Sequence, residues 1–232
     1  MTSTEKIIIN KGVSVITPIY NAVYFLPRLF RSVSSQRYGS VQHFLIDDCS
    51  TDGSLTCMQL QASADPSVTV CSLQSNQGPV AARNAGIDLA TGKYLAFLDA
   101  DDYWLPEKLA VQVQFMEETG AAISFSDYRY ISEDGQFVGR RLRGPDRVGF
   151  ALHHMTRYLG CLTIMVNREK CPDFRFPDIS PAYRAEDFLA WSALITRHGP
   201  ALRCPHDLAR YAVVPNSRSS GALRAAASVW KL

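Results

Sequence analysis

Short, nearly continuous apolar runs alternate along the first half of the chain with stretches whose apolar residues recur every three or four positions. The runs at 13–18, 41–46, 68–73 and 94–98 have the length and composition of strands buried on both faces. Between them, 24–36 carries Phe25, Leu29, Phe30 and Val33 at helical spacing, with Pro27 in the first turn, where proline is tolerated. A second helix opens at Ser54, and a third spans 78–90, opened by Gly78-Pro79 and ended by Gly92. A fourth is expected over 106–118. Pro18 is expected to end the first strand, because it could not donate within a central ladder. This alternation predicts an α/β fold with a mostly parallel central sheet and helices on both faces. Ligands in such folds sit outside the carboxyl ends of the strands. Pro18, Asp48 and Asp99 all fall at such ends, and right-handed crossovers bring their loops to one rim.

Beyond residue 118 the pattern changes. Residues 121–131 read as strand, 133–135 (Glu-Asp-Gly) as a hairpin turn and 136–138 as a return to extended structure. A basic stretch, 139–147, holds Arg140, Arg141, Arg143 and Arg147; it reads either as a solvated loop or as a grip on an anionic acceptor. A strand at 159–166, a helix at 186–197 and a last strand at 209–214 follow, with a short helix in 217–232. The chain therefore divides into a first half, 1–118, and a second half, 119–232, of one domain, with residues 1–10 as a polar tail.

Composition narrows the function classes. At 232 residues, 47% apolar and 20% charged, the chain has the makings of an ordinary globular core. Twenty-four basic against 22 acidic residues give no footprint for nucleic acid. Six cysteines without a CxxC pair, and no leader-like start, point to reduced thiols in a cytoplasmic setting. No apolar run approaches the length of a membrane span.

The chemistry concentrates at Phe97-Leu-Asp-Ala-Asp-Asp-Tyr-Trp104, where a buried strand stops on Asp99, Asp101 and Asp102. Clustered carboxylates at a strand end repel one another and call for compensation. A hard divalent cation that bridges to a substrate phosphate provides it. The alternative is an acidic turn that caps the next helix, a role that suits Asp102 before Pro106.

Taken together, five motifs stand in order: Val-Ser-Val-Ile-Thr-Pro-Ile-Tyr-Asn, Ile-Asp-Asp-Cys-Ser-Thr-Asp-Gly-Ser, Asn-Gln-Gly-Pro-Val-Ala-Ala-Arg-Asn-Ala-Gly, Phe-Leu-Asp-Ala-Asp-Asp and Ala-Glu-Asp-Phe. In motif order and spacing the chain resembles the family 2 glycosyltransferases, inverting enzymes of the GT-A fold, and is most similar to the smaller bacterial members that build O-antigen or capsule repeat units. The match is dense over 13–105 and thins to Glu186-Asp187 and the Tyr211…Ser217-Arg-Ser219 tail.

The resemblance implies a UDP-sugar donor, Mn²⁺ or Mg²⁺ as cofactor, and a glycan or lipid-diphosphate-linked sugar acceptor, with peripheral contact at the inner membrane face. It implies that Tyr20 packs on the uracil ring and Asp48 accepts from the uracil imide, with Pro18 beside them. Arg83 lies on the base or phosphate side of the donor. Asp99 and Asp101 form the DxD pair, Asp99 on the ribose side and Asp101 on the metal. Asp187 is the general base, with Asp127 and Asp178 next in line; Glu186 is explained by its place at a helix start. The Gln-x-x-Arg-Trp pattern of processive relatives is missing, so one sugar per encounter is expected, and the metal is left to Asp101 rather than shared with His206.

Three rival readings are weaker. A sugar-1-phosphate nucleotidyltransferase needs a Gly- and Arg-rich loop after the first strand, and Thr17-Pro-Ile-Tyr-Asn21 is not one. A phosphatase of the haloacid dehalogenase type places a small-residue turn after its nucleophile, not Asp-Tyr-Trp. A non-catalytic nucleotide-sugar-binding protein on the same fold would not need Asp99, Asp101 and Asp187 together.

Overall fold

The computed structural model describes residues 12–132, 136–156, 158–178 and 185–213. The 133–135 turn, the Ser217-Arg-Ser219 tail, the 217–232 helix and the 1–10 tail lie outside them.

The first half folds as the alternation predicts. Strands β1 (Val13–Ile19), β2 (Val41–Asp47), β3 (Val68–Ser72) and β4 (Tyr94–Phe97) are joined through helices α1 (Leu26–Ser34), α2 (Ser54–Ala64) and α3 (Gly78–Leu89). They lie parallel in the order β3-β2-β1-β4. Because successive strand residues face opposite ways, each apolar run divides between two cores. Val13, Val15, Leu45, Tyr94 and Ala96 join α1, α2 and helix α4 (Lys108–Thr119) on one face. Ile16, Phe44, Ile46, Leu95 and Phe97 join α3 and helix α6 (Glu186–His198) on the other. Gly86 brings α3 close to β1, since a Cβ there would stand 2.5 Å from Ile16 Cγ2. That explains the glycine ending the Ala-Arg-Asn-Ala-Gly motif.

The second half continues the same sheet. Strand β9 (Ile164–Asn167) pairs antiparallel with β4, and β6 (Ile123–Ser132) pairs antiparallel with β9. Strand β10 (Ala201–Val213) then runs parallel to β6, and the short β5 (Tyr103–Trp104) pairs antiparallel with β10 at the edge. Strand β7 (Phe137–Leu142) pairs with β6 and β8 (Arg147–Val148) with β10, and helix α5 (Phe150–Met155) packs on α6. Among the described residues no helix is long and apolar enough to cross a membrane, and all six cysteines are free thiols.

Several sequence expectations are corrected. Pro18 does not end β1: it pairs in register with Ile46. Ile16 offers its carbonyl to Leu98 on the β4 side, so Pro18, two residues on, turns its missing N–H to the side where β4 has already ended. The basic stretch is not all loop: β7 takes in 139–142 and β8 begins at Arg147, and Arg141 pairs with Asp127 at 2.6 Å. The strand expected at 159–166 is a 3-10 turn, Cys161–Thr163, followed by β9. The last strand begins eight residues early, through Pro205 and a register shift that lets proline into the ladder. Asp102 does not cap α4, which starts at Lys108 after Glu107 without a side-chain cap; its Oδ1 accepts from the Ala212 amide at 2.8 Å.

Lys108 has 0% exposure and no acidic partner among the described residues. Its ammonium donates to Gln112 and to the Thr163 carbonyl and lies over the Trp104 ring. Burial pushes its pKa down to about 7. From pH 7 to 9 the unfolded chain therefore holds a proton that the folded one has released, and stability rises with pH. The expected gain is on the order of 2 kcal/mol. Lys108→Met should flatten it, as urea unfolding at both pH values would show; a rise that persists in the variant would place its origin elsewhere.

Candidate active site

The rim above β1, β2 and β4 is assembled from the loops that follow them. Two of these loops are stitched together. The Asn21 amide donates to Ser50 Oγ at 3.0 Å, the Thr51 amide donates to Asn21 Oδ1 at 2.8 Å, and the Val23 amide donates to Asp52 Oδ2 at 3.0 Å. Asp52 Oδ1 also accepts from the Ser54 hydroxyl at 2.6 Å, and Ser54 Oγ accepts from the Ala22 amide at 3.0 Å. Much of the Asp-Asp-Cys-Ser-Thr-Asp-Gly-Ser motif is thus spent on fastening one rim loop to the other. Asn21 and Cys49, with φ of 48° and 62°, are the two non-glycine residues in the left-handed region among the described residues. Both flank this crevice, as strained backbone at ligand sites does.

Tyr20 stands on this rim with 52% of its surface open, leaving a ring face free to stack. Asp48 is buried, and both its oxygens are engaged: Oδ1 accepts from the Gln77 amide at 2.7 Å and Oδ2 from the Gly78 amide at 2.8 Å. It therefore caps α3 from across the crevice. Each oxygen keeps a second lone pair for a donor group.

At the end of β4 the three carboxylates have separate surroundings. Asp99 Oδ1 accepts from Arg83 Nη2 at 2.7 Å. Asp102 is turned into the protein toward Ala212, and burial drives its pKa well up, with Asp101 and Asp99 adding to the rise. Among the described residues Asp101 has no side-chain ion pair: the Arg28 guanidinium donates to its main-chain carbonyl instead. Burial and then the neighbouring Asp99 push Asp101 up to about 6, against a weaker pull from Arg28. A carboxylate short of positive charge beside a second one fits a divalent cation. Among the described residues no group of three or more His, Cys, Asp or Glu side chains encloses a metal site. Such a cation would have to complete its shell with water and substrate oxygens, as Mg²⁺ commonly does.

Asp187, in the first turn of α6, comes to the same place from 104 residues beyond Arg83: Arg83 Nη1 donates to its Oδ1 at 3.2 Å. Its side chain is 36% open, enough for a substrate hydroxyl to reach. Desolvation nonetheless pushes it up to about 6; Arg83 opposes this, Asp99 and Glu186 add to it, and a hydrogen bond from the Cys161 thiol opposes it. A carboxyl of that affinity is ionised at neutral pH yet a better proton acceptor than an ordinary aspartate.

The structure thus brings Arg83, Asp99 and Asp187 into one ion-paired chain, with Asp101 two residues on from Asp99. Asp127, a second choice for the base, is withdrawn from that role. It has 0% side-chain exposure and is clamped by Arg203 at 2.7 and 2.8 Å and by Arg141. Asp178 and His206 are exposed. Sequence reasoning missed Arg28 and Cys161. Nothing in a helix-face arginine or a lone cysteine marks contact with residues 73 and 26 positions away, respectively.

Comparison with known proteins gives the family. Residues 14–177 match the family model for glycosyl transferase family 2. TuaG of Bacillus subtilis (strain 168), named as a teichuronic acid biosynthesis glycosyltransferase, is 34% identical over 94% of this chain and 85% of its own. WfgD of Escherichia coli, named as a UDP-Glc:α-D-GlcNAc-diphosphoundecaprenol β-1,3-glucosyltransferase, is 26% identical over 94% of this chain and 83% of its own. Among solved structures, S. aureus TarS (residues 1–349) in complex with UDP-GlcNAc superposes with a TM-score of 0.71 at 22% identity, over 90% of this chain. The chain spans 60% of that structure's length. With the fold, the rim and these matches together, the chain belongs to glycosyl transferase family 2.

Proposed function

We propose that this glycosyltransferase moves a single sugar from a UDP-sugar to a lipid-diphosphate-linked glycan, with inversion at the anomeric carbon, in the synthesis of a surface polysaccharide. The observation that carries the reading is the Asp187 carboxylate, ion-paired through Arg83 to Asp99 at the end of β4. A base and a donor-side carboxylate on one short chain of contacts suit a single displacement, in which the acceptor hydroxyl is deprotonated opposite the departing diphosphate. The donor class is supported by the UDP-GlcNAc in the TarS complex and the UDP-Glc in the name of WfgD. The acceptor class follows WfgD, whose name gives a diphosphoundecaprenol-linked GlcNAc.

Residues 1–118 serve as the donor half and 119–232 as the acceptor half. Tyr20 stacks on the uracil, beside Pro18. Asp48 accepts from the uracil imide with the lone pairs that α3 leaves free, Arg83 lies on the donor side, and Asp99 faces the ribose. Asp101 holds Mn²⁺ or Mg²⁺, which when bound supplies positive charge against the leaving diphosphate. Asp187 takes the proton from the acceptor hydroxyl. Arg140, Arg143 and Arg147, exposed on and after β7, suit peripheral contact with an anionic membrane face.

The test is a thermal-shift screen over nucleotide sugars with Mn²⁺ and with Mg²⁺. UDP and its sugars should raise the melting temperature and GDP should not, because a pocket built for the uracil edge leaves its own polar groups unpaired against guanine. Equal stabilisation by GDP would overturn the roles of Tyr20 and Asp48.

A further inference from the structure

Arg83 is held through both arms of its fork and across one face of its guanidinium. Its side chain is 5% exposed, and its guanidinium lies over the Phe176 ring, 5.2 Å from the centroid. The next residue, Asn84, fixes Phe176 by a reciprocal pair of bonds: Nδ2 donates to the Phe176 carbonyl, and the Phe176 amide donates to Oδ1, each at 2.9 Å. Phe176 in turn packs edge-on against Trp191, ring centroids 5.5 Å apart, one turn beyond Asp187 on α6. Helix α3, the 174–176 segment and the start of α6 are thereby one packed unit, with Arg83 at its centre and both ends of its fork on carboxylates.

We propose that Arg83 is a positioning residue for the general base: it holds the Asp187 carboxylate in one orientation and keeps it ionised for proton transfer. The proposal rests on Asp187 being that base and adds to the donor-side place given to Arg83 above. Among the described residues four groups face Asp187: Arg83 from α3, Asp99 from the end of β4, the Cys161 thiol from the 3-10 turn and Glu186 from its own helix. Burial and the two anions favour a protonated, inactive Asp187, and Arg83 is the cation among the four that opposes them. Because the same guanidinium bonds Asp99, its bidentate fork also sets the base in register with the donor-side carboxylate.

The reaction measured is release of UDP from the UDP-sugar found in the screen, with water as acceptor. The water oxygen bonds to the anomeric carbon, the bond to the diphosphate oxygen breaks, and the water proton goes to Asp187. Turnover at saturating donor is followed against pH for the wild type, Arg83→Gln, Arg83→Lys and Asp187→Asn.

The wild type should lose activity as pH falls through about 6. Arg83→Gln should move that limb up by about one pH unit, an about fivefold greater loss at pH 6 than at pH 8.5. Arg83→Lys should lie between, since lysine keeps the charge but cannot bridge two carboxylates as a fork. An arginine that only binds the donor would raise KM and leave the limb in place, and that result overturns the proposal. Far-ultraviolet circular dichroism and the urea unfolding midpoint check that each variant is folded. Should Arg83→Gln fail that check, Arg83→Lys decides alone, and an unmoved limb there overturns it equally. If Asp187→Asn keeps wild-type turnover, the base is elsewhere and the reading beneath the proposal fails first. If Asp187→Asn is inactive while the Arg83 limb stays put, only the proposal fails.

Discussion

Asp187→Asn should bind UDP-sugar and metal as the wild type does and lose transfer by about a hundredfold to ten-thousandfold, the range expected for loss of a positioned general base. The amide preserves shape and still accepts a hydrogen bond from Arg83 through its oxygen, so ground-state binding survives. It cannot take up the hydroxyl proton, so the loss appears in kcat and not in KM. Glu186→Gln should do less, since Glu186 is one of the charges around Asp187 and not the proton acceptor. Donor affinity and turnover must be measured on the same preparation. An asparagine variant with near wild-type turnover would remove Asp187 from the mechanism, and the buried, doubly clamped Asp127 could not replace it.

Asp101→Ala should abolish divalent-dependent UDP binding and leave the fold intact. Asp99 and Asp102 cannot substitute: one is bonded to Arg83 and the other turned toward the Ala212 amide. Asp101→Asn should recover little, because the amide lacks the charge a hard cation requires. With its affinity for protons raised to about 6, Asp101 also sets the pH range. Metal-dependent binding should be full above pH 7 and fade as pH falls through about 6, where a proton competes for the same oxygens. Calorimetric titration of UDP with Mn²⁺ at pH 5.5 and 7.5, in wild type and variant, tests both. Equal affinities in Asp101→Ala would take that residue out of the metal shell.

The first half was legible in the sequence because its physics is local. Strands β1 to β4 are apolar runs, and helices α1 and α3 carry proline in their first turns. The second half was less so. Strand β10 contains Pro205, Asp207 and three residues of the Arg/His type, His206 among them, so it offers no apolar run. It is held by pairing with β6 and by ion pairs such as Arg129–Asp207 at 2.7 Å, which only the fold brings together. The basic stretch misled for the same reason: Arg141 is neutralised by Asp127 across two strands, which no local count of charge reveals. Asp102 misled in another way, because an acid shortly before a proline is a sound cap signal until a distant strand offers a buried amide. The family motifs named Arg83 and Asp187 separately, but their contact joins positions 104 residues apart and had no signature in either motif.

With Asp48 reading the uracil as proposed, the cap it places on α3 would tie nucleotide recognition to the acid–base machinery as a matter of mechanics. The carboxylate assigned to the uracil also anchors the first turn of the helix whose second turn carries Arg83 and Asn84. Evolution toward another nucleobase would therefore meet a constraint beyond the pocket, since replacing Asp48 to suit a different ring edge releases two amides and lets the helix drift. Donor preference in this scaffold should then change through Tyr20 and its neighbours on the open rim sooner than through Asp48. A change at Asp48 that is tolerated should be accompanied by a new cap for Gln77 and Gly78.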